Sequence, residues 1–126
     1  MILMGHPWIS SPKFCRIFSK KEIKDTRSDQ IVLLEPLVNS YALASYCQQN
    51  SISYAVVVDT VDDAIYANAL GASYVICKKD TALVIQPIAE TYLFDTKVLV
   101  LINSEKEITK IACNGIDGVI FSKIIE

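Results

Sequence analysis

The sequence predicts an α/β protein: a single domain with a mainly parallel sheet of about five strands and helices on both faces. Apolar runs alternate with helical segments after residue 30, and unbroken apolar runs fit strands that are covered on both sides. Two stretches, Tyr54–Lys79 and Val98–Lys123, also align without a gap at a spacing of 44 residues. Because helix start signals and glycines coincide in this alignment, it predicts an internal repeat of a β-α-β unit.

The first 30 residues lack this alternation. Residues 1–30 are predicted to form an N-terminal extension that packs on the body, with Trp8 as its anchor. Phe14–Phe18 indicates a short strand. Ser19 and Glu22 have the spacing of a capping box, which predicts a short helix through residue 24. Residues 31–126 then form the domain of repeated β-α-β units.

Five apolar runs are the predicted strands of that domain. Each has four or five residues, a length that suits a strand and is too short for a helix. In chain order they are Ile31–Leu34, Tyr54–Val58, Tyr74–Cys77, Val98–Ile102 and Gly118–Phe121.

Four helical segments separate these strands. Each begins near a residue whose side chain can accept a backbone N–H of the first turn. Gly71 and Gly115 supply the left-handed residue that ends two of the helices. The predicted start signals are, in order, Asn39 or Ser40, Thr60 with Asp63, Asp80, and Ser104 with Glu107.

Two closures of such a sheet are possible. An open sheet of the flavodoxin or Rossmann kind suits a stand-alone chain of this length. A β/α barrel takes about 250 residues, so 126 residues would make half of one. We favour the open sheet and keep the half-barrel as the alternative.

Composition and charge narrow the function classes. With 52% apolar and 21% charged residues, the chain can build one core. A net charge of -2 argues against nucleic-acid binding, because phosphate backbones are bound by clustered lysine and arginine. No segment has the roughly 18 apolar residues needed to span a bilayer, and the N-terminus lacks the features of a signal peptide. Neither nucleic acid nor membrane is therefore an expected partner.

Cysteine and histidine content bears on metal and redox chemistry. The four cysteines lie far apart and form no Cys-x-x-Cys pair, which disfavours a disulfide framework or a zinc knuckle and fits a reducing cytoplasm. His6 is the only histidine, and its position between glycine and proline indicates a structural or solvent-exposed role. No metal site, cofactor or catalytic residue is predicted.

Parts of the chain resemble known families. The stretch Asp62–Asp95, DDAIYANALGASYVICKKDTALVIQPIAETYLFD, resembles a family of short uncharacterised bacterial α/β proteins. It is also similar to the nucleotide-binding regulatory domains of potassium uptake systems. Those domains carry a glycine-rich loop after their first strand, whereas the loop here, Leu34–Asn39, contains no glycine. The resemblance thus implies the fold without the backbone approach that dinucleotides need.

The last unit, Asn114–Phe121, looks like the closing strand of phosphate-binding β/α barrels such as indole-3-glycerol phosphate synthase. In those enzymes a Gly-Ser or similar pair follows the strand and holds the phosphate. Ser122 and Lys123 stand there in this chain, so the resemblance implies half of such a barrel.

Polar residues follow the predicted strands, where α/β sheets bind ligands. Two carboxylates, two lysines and an amide in one crevice would suit a small anionic metabolite. Helix capping and turn formation account for most of the same residue types, so a purely structural interpretation stays open. The candidate ligand-binding residues are Glu35, Asp59, Thr60, Lys79, Asn103, Ser104 and Lys123.

Our leading hypothesis is a non-enzymatic cytoplasmic binding or interaction module of unknown ligand. The alternative is a small enzyme or sensor that binds an anionic metabolite, a phosphate or carboxylate, at the C-terminal ends of the parallel strands. A parallel sheet leaves two edges with unpaired backbone groups, and the apolar residues Ile124 and Ile125 would make one of them adhesive. A homo-oligomer is therefore expected.

Overall fold

The computed structural model describes residues 1–126 and contains seven strands, five α-helices and two 3-10 turns. The strands are β1 Ile2–Met4, β2 Lys13–Arg16, β3 Gln30–Leu34, β4 Tyr54–Val57, β5 Tyr74–Cys77, β6 Lys97–Ile102 and β7 Gly118–Phe121. The helices are α1 Lys20–Asp25, α2 Leu37–Gln49, α3 Val61–Ala69, α4 Lys79–Thr91 and α5 Ile108–Cys113. The 3-10 turns are Glu105–Glu107 and Ser122–Ile124. All five predicted strands are present, each within one residue of its predicted ends.

The strands form one parallel sheet in the order β1-β7-β6-β5-β4-β3-β2. This confirms the α/β class and the parallel sheet, but the expectation of about five strands is wrong. The two additional strands come from the first 30 residues: Ile2 of β1 pairs with Gly118 of β7, and Phe14 of β2 pairs with Ile31 of β3. β1 has three residues and forms a strand because a distant strand pairs with it.

The sheet is curled into a half-barrel. Ile125 bridges to Phe14 of β2, and the Glu126 amide donates to the Phe14 carbonyl at 2.8 Å. In a flat sheet β7 and β2, five strands apart in the order, would be separated by about 24 Å. The four residues from Phe121 to Ile125 reach at most about 14 Å, so the pairing requires a curved sheet. The rings of Phe14 and Tyr74 of β5, three strands away, are also 6.0 Å apart between centroids.

The concave side of the sheet is filled by its own side chains. One buried side chain from each strand fills it, so the interior is packed core rather than a channel. The buried hydrophobic residues of all five helices belong to the other apolar cluster, on the convex side. The half-barrel alternative is therefore confirmed, whereas the favoured open sheet with helices on both faces is wrong. The concave residues are Met4, Phe14, Leu33, Ala55, Ile76, Leu99 and Ile120.

A buried polar contact joins α4 to the start of β7. The Gln86 side chain donates to Asp117 Oδ1 at 3.1 Å and accepts the Asp117 amide at 3.0 Å. The other carboxylate oxygen of Asp117 accepts the Val98 amide of β6 at 2.9 Å. Because Gln86 is only 4% exposed, these bonds fix the amino ends of β6 and β7 against α4.

Helix ends agree with the sequence where a specific signal was present. Thr60 and Ser104 cap as predicted, and Gly71 and Gly115 adopt positive φ after α3 and α5. The predicted starts at Asn39 or Ser40 and at Asp80 are too late, since α2 begins at Leu37 and α4 at Lys79. Pro36 and Lys78 occupy those N-cap positions without a side-chain cap bond. No helix has both the length and the apolar character required to cross a bilayer.

The N-terminal segment has the predicted strand and helix but not the predicted anchor. Ser19 caps α1 by accepting the Glu22 amide at 3.3 Å. Trp8 is 90% exposed, so the expectation that it anchors the segment is wrong. Phe14 and Ile17, both buried, attach this part of the chain to the core instead.

Candidate functional site

The carboxyl ends of the seven parallel strands form one edge of the half-barrel, which we call the rim. All seven residues predicted to bind a ligand lie on it, because each follows β3, β4, β5, β6 or β7 directly or after a short turn. Lys79 and Lys123 in particular emerge from the same edge of the sheet, as predicted. None of the seven is buried. The rim is thus a solvent-exposed surface around a packed interior.

Several rim residues already have structural partners. The Thr60 hydroxyl accepts the Asp63 amide at 3.2 Å, and the Ser104 hydroxyl accepts the Lys106 amide at 3.2 Å. The Asn103 side-chain oxygen accepts the Ser122 hydroxyl at 2.5 Å and ties the end of β6 to the end of β7. These contacts agree with the interpretation in terms of caps and turns.

The two rim lysines have different neighbours. The Lys79 side chain lies beside Lys110 of α5, and its pKa is lowered mainly by that side-chain contact. Lys123 Nζ lies 5.6 Å from the centroid of the Phe121 ring. Neither lysine has an ion-pair partner. The structure therefore pairs Lys79 with Lys110, a residue that the sequence analysis did not select.

Glu35 borders a small slot in the rim between β2, β3 and β4. The slot has a volume of about 80 Å³, with Leu33 and Val57 among the apolar side chains that line it. Arg16 and Phe18 line the other side. Its size admits a few non-hydrogen atoms at most, so a metabolite could place only one small group there.

His6 forms a contact that sequence reasoning did not predict. Its Nε2 lies 3.3 Å from the Glu105 carboxylate, and its Nδ1 accepts the Trp8 amide at 3.2 Å. The ring also packs edge-on against Phe121, with centroids 6.1 Å apart. A general base needs a nitrogen free to reach a substrate proton. Both nitrogens of His6 are engaged, so this residue holds the segment after β1 to the end of β6 in a structural role.

The largest apolar opening lies on the convex side, between α2 and α3. This α2–α3 groove has a volume of about 490 Å³, and six of its seven lining residues are hydrophobic. Val38 is 84% exposed, Tyr41 67% and Tyr66 57%. The lining residues are Leu37, Val38, Tyr41, Asp63, Tyr66, Ala69 and Leu70.

Sequence reasoning missed the groove, although the sequence contains a signal for it. The 13 residues of α2, LVNSYALASYCQQ, include no Asp, Glu, Lys or Arg. A helix on the surface of a globular protein normally carries charges on its solvent face. The solvent-exposed residues of α2 include Val38, Tyr41 and Gln48, none of which is charged. The absence of charge in α2 therefore distinguishes it from the other helices, each of which contains at least one charged residue.

Comparison with known proteins leaves the family open. No protein-family model matches the chain, and no curated protein is similar to it. The three resemblances described above stay predictions. Function is thus inferred from the geometry and chemistry of the rim and of the α2–α3 groove.

Proposed function

We propose that this protein is a non-enzymatic cytoplasmic binding or interaction module and that the α2–α3 groove is its binding surface. One observation carries the proposal: α2 lies at the surface, has no charged residue, and exposes Val38 and Tyr41 beside Tyr66 of α3. Exposed apolar clusters of this kind mark interaction sites on soluble proteins, and tyrosine is enriched in such sites.

The exposed side chains contribute little to the fold itself. The contacts of α2 with the core are made by Leu37, Ala44 and Cys47, which are buried, whereas Val38 and Tyr41 are exposed. Truncating the exposed side chains should consequently leave the core intact. Exposed apolar side chains that the fold does not require are available for binding a partner.

The experiment combines stability with the binding of an apolar dye. In dilute protein, 1-anilinonaphthalene-8-sulfonate should fluoresce on binding the groove, and the triple variant Val38→Glu, Tyr41→Ser, Tyr66→Ser should lose this signal. Its urea midpoint should stay within about 0.5 kcal/mol of the wild-type stability, the usual range for surface substitutions. A matched control, Val84→Glu with Tyr92→Ser, changes side chains that are 56% and 74% exposed outside the groove. Equal dye loss in both variants, or unfolding of the triple variant, would contradict the proposal.

A second candidate function is the binding of a small anionic metabolite at the rim. The observation in its favour is the contact between Lys79 and Lys110 beside the start of α4. That helix has 13 residues and no side-chain cap at Lys78, so its first N–H groups are open to an acceptor. An anion between the two ammonium groups would relieve their repulsion.

This candidate is tested by thermal shift with inorganic phosphate, sugar phosphates and keto acids. A ligand that prefers the folded state raises the melting temperature in proportion to its binding energy. The stabilisation should disappear in Lys79→Gln and Lys110→Gln and persist in Lys97→Gln, a lysine at the opposite end of β6. If no anion raises the melting temperature, the rim has no such site.

A further inference from the structure

We propose that the partner of the α2–α3 groove is a second copy of this chain, joined across a two-fold axis that passes through α2. This inference rests on the proposed function and identifies the molecule that binds to the α2–α3 groove. Three features of the structure lead to it: the uncharged face of α2, two unpaired charges at the corners of that face, and sheet edges that are either occupied or short.

The first feature is the uncharged face. In a two-fold interface the same surface patch meets itself, so a charge near the axis lies close to its own copy and is repelled by it. The 13 residues of α2 contain no charge. A face centred on Val38 and Tyr41 therefore meets itself without electrostatic penalty and buries apolar surface on both sides.

The second feature is the position of the nearest charges. Lys20 lies on the α1 side of α2, with Nζ 5.3 Å from the ring centroid of Tyr46 near the end of that helix. Asp63, in the first turn of α3, lines the groove together with Leu37 and Val38 in the first turn of α2. The two charges thus occupy diagonally opposite corners of the face. Neither has an ion-pair partner within the chain.

A two-fold axis that crosses the face between these corners exchanges them. Lys20 of each copy then lies opposite Asp63 of the other copy, and two equivalent ion pairs flank the apolar centre. This arrangement has the apolar core and charged rim that protein interfaces share. Because the charges of one copy complement those of the other, a second copy of the chain supplies every contact that this interface requires.

The third feature is the state of the sheet edges, which disfavours association through the edge strands, the route expected from the sequence. The outer edge of β2 is occupied by the C-terminal residues: the Arg16 amide donates to the Glu126 carbonyl at 3.1 Å, and Lys13 Nζ lies 3.1 Å from the Glu126 carboxylate. β1, the other edge, has three residues. Strand addition is therefore disfavoured, and the exposed helix face is the surface left for a second copy.

The experiment is sedimentation equilibrium from about 1 to about 300 μM protein, a range that resolves dissociation constants typical of modest interfaces. We expect a monomer–dimer equilibrium for the wild type. Val38→Glu should be monomeric throughout, and it should fold normally because a carboxylate in the first turn of a helix is favourable. Val84→Glu on α4, the matched control, should dimerise like the wild type.

Charge reversal tests the two-fold geometry itself. Lys20→Glu and Asp63→Lys should each weaken the dimer about tenfold or more, because two pairs per dimer change from attraction to repulsion. The double variant restores both pairs in opposite sense and should dimerise within about threefold of the wild type. Additive weakening in the double variant would overturn the proposed axis.

The outcomes also separate this inference from the proposed function. A wild type that stays monomeric across the concentration range overturns the dimer. If that monomer still binds the dye through the groove, the binding surface stands and its occupant is a different protein. If the dye signal is absent as well, the proposed function fails with the dimer.

Discussion

Replacing Gly118 with alanine should displace β1 from the sheet. Gly118 lies in β7 between β6 and β1, where it pairs with Ile2. A Cβ added there would lie 2.5 Å from the Ile2 carbonyl oxygen, 2.6 Å from Ile2 Cβ and 2.9 Å from Leu99 Cδ2. Leu99 can rotate away, whereas the carbonyl of Ile2 is main chain and moves only with its strand.

The size of the effect follows from this geometry. Carbon and oxygen atoms approach to about 3.3 Å at closest, so β1 must move by nearly 1 Å at Ile2. The Ile2 amide is 2.9 Å from the Asp117 carbonyl, and that shift breaks the bond. One or two lost hydrogen bonds at about 1 kcal/mol each, with the overpacking, give a loss of about 2 to 4 kcal/mol.

Urea denaturation followed by circular dichroism measures this loss. We expect the midpoint of Gly118→Ala to fall by about 1 to 2 M, given a slope near 2 kcal/mol per M. Gly115→Ala is the control, because Gly115 has φ +72 but no atom within 4 Å of the added Cβ. It should cost only the strain of a left-handed alanine, about 1 kcal/mol. A Gly118→Ala midpoint at or above that of Gly115→Ala would refute the steric reasoning.

Three further substitutions test the helix ends and the core. Gly71→Val should destabilise by more than about 1 kcal/mol, because Gly71 has φ +80 and the new side chain meets Gln48 at 3.2 Å; an unchanged denaturation midpoint would contradict this. Leu93→Gly should stabilise by about 0.5 to 1 kcal/mol, since Leu93 has φ 53 after α4 and is 84% exposed; a lower melting temperature would show that its side chain matters. Burial raises the pKa of Cys77 from 9.0 to about 12, so the unfolded chain loses this proton first and stability falls as pH rises from 9 toward 12. Cys77→Val should reduce that fall, by up to about 1.4 kcal/mol per pH unit, and parallel stability–pH curves for the two proteins would argue against it.

The sequence predicted the elements whose signals are local. Each strand from β3 to β7 contains a continuous apolar run. Thr60, Ser104, Gly71 and Gly115 mark helix ends by their own side chains or backbone freedom. Both stretches of the predicted repeat form parallel β-α-β units. The rim could be located for the same reason, since parallel strands end at one edge.

The elements that the sequence did not predict depend on distant contacts. Nothing in Ile2–Met4 distinguishes a strand from an apolar terminus until β7 pairs with it. Leu93 ends α4 in the left-handed region, which leucine seldom adopts, so no residue preference could reveal it. The closure of the sheet depends on the pairing of Ile125 with Phe14, a contact across more than a hundred residues.

The groove was missed for another reason. The informative property of Leu37–Gln49 is the absence of charged residues, which no motif or residue spacing marks. That property gains meaning only when the helix is known to lie at the surface. The contact of His6 with Glu105 was not predicted either, because 99 residues separate the two in the sequence.

The pairing of the first strand with the last has a consequence for biosynthesis. Residues 2–4 are synthesised well before their partners in β7, residues 118–120, and β2 receives its edge partner only after residues 125 and 126 have been made. Until then the concave apolar side chains face water, and β1 has no neighbour. Contacts of such long sequence separation slow folding, so the sheet is completed late, after β7 and the residues that follow it have been synthesised. During synthesis the nascent chain should therefore be a substrate for chaperones that bind apolar segments.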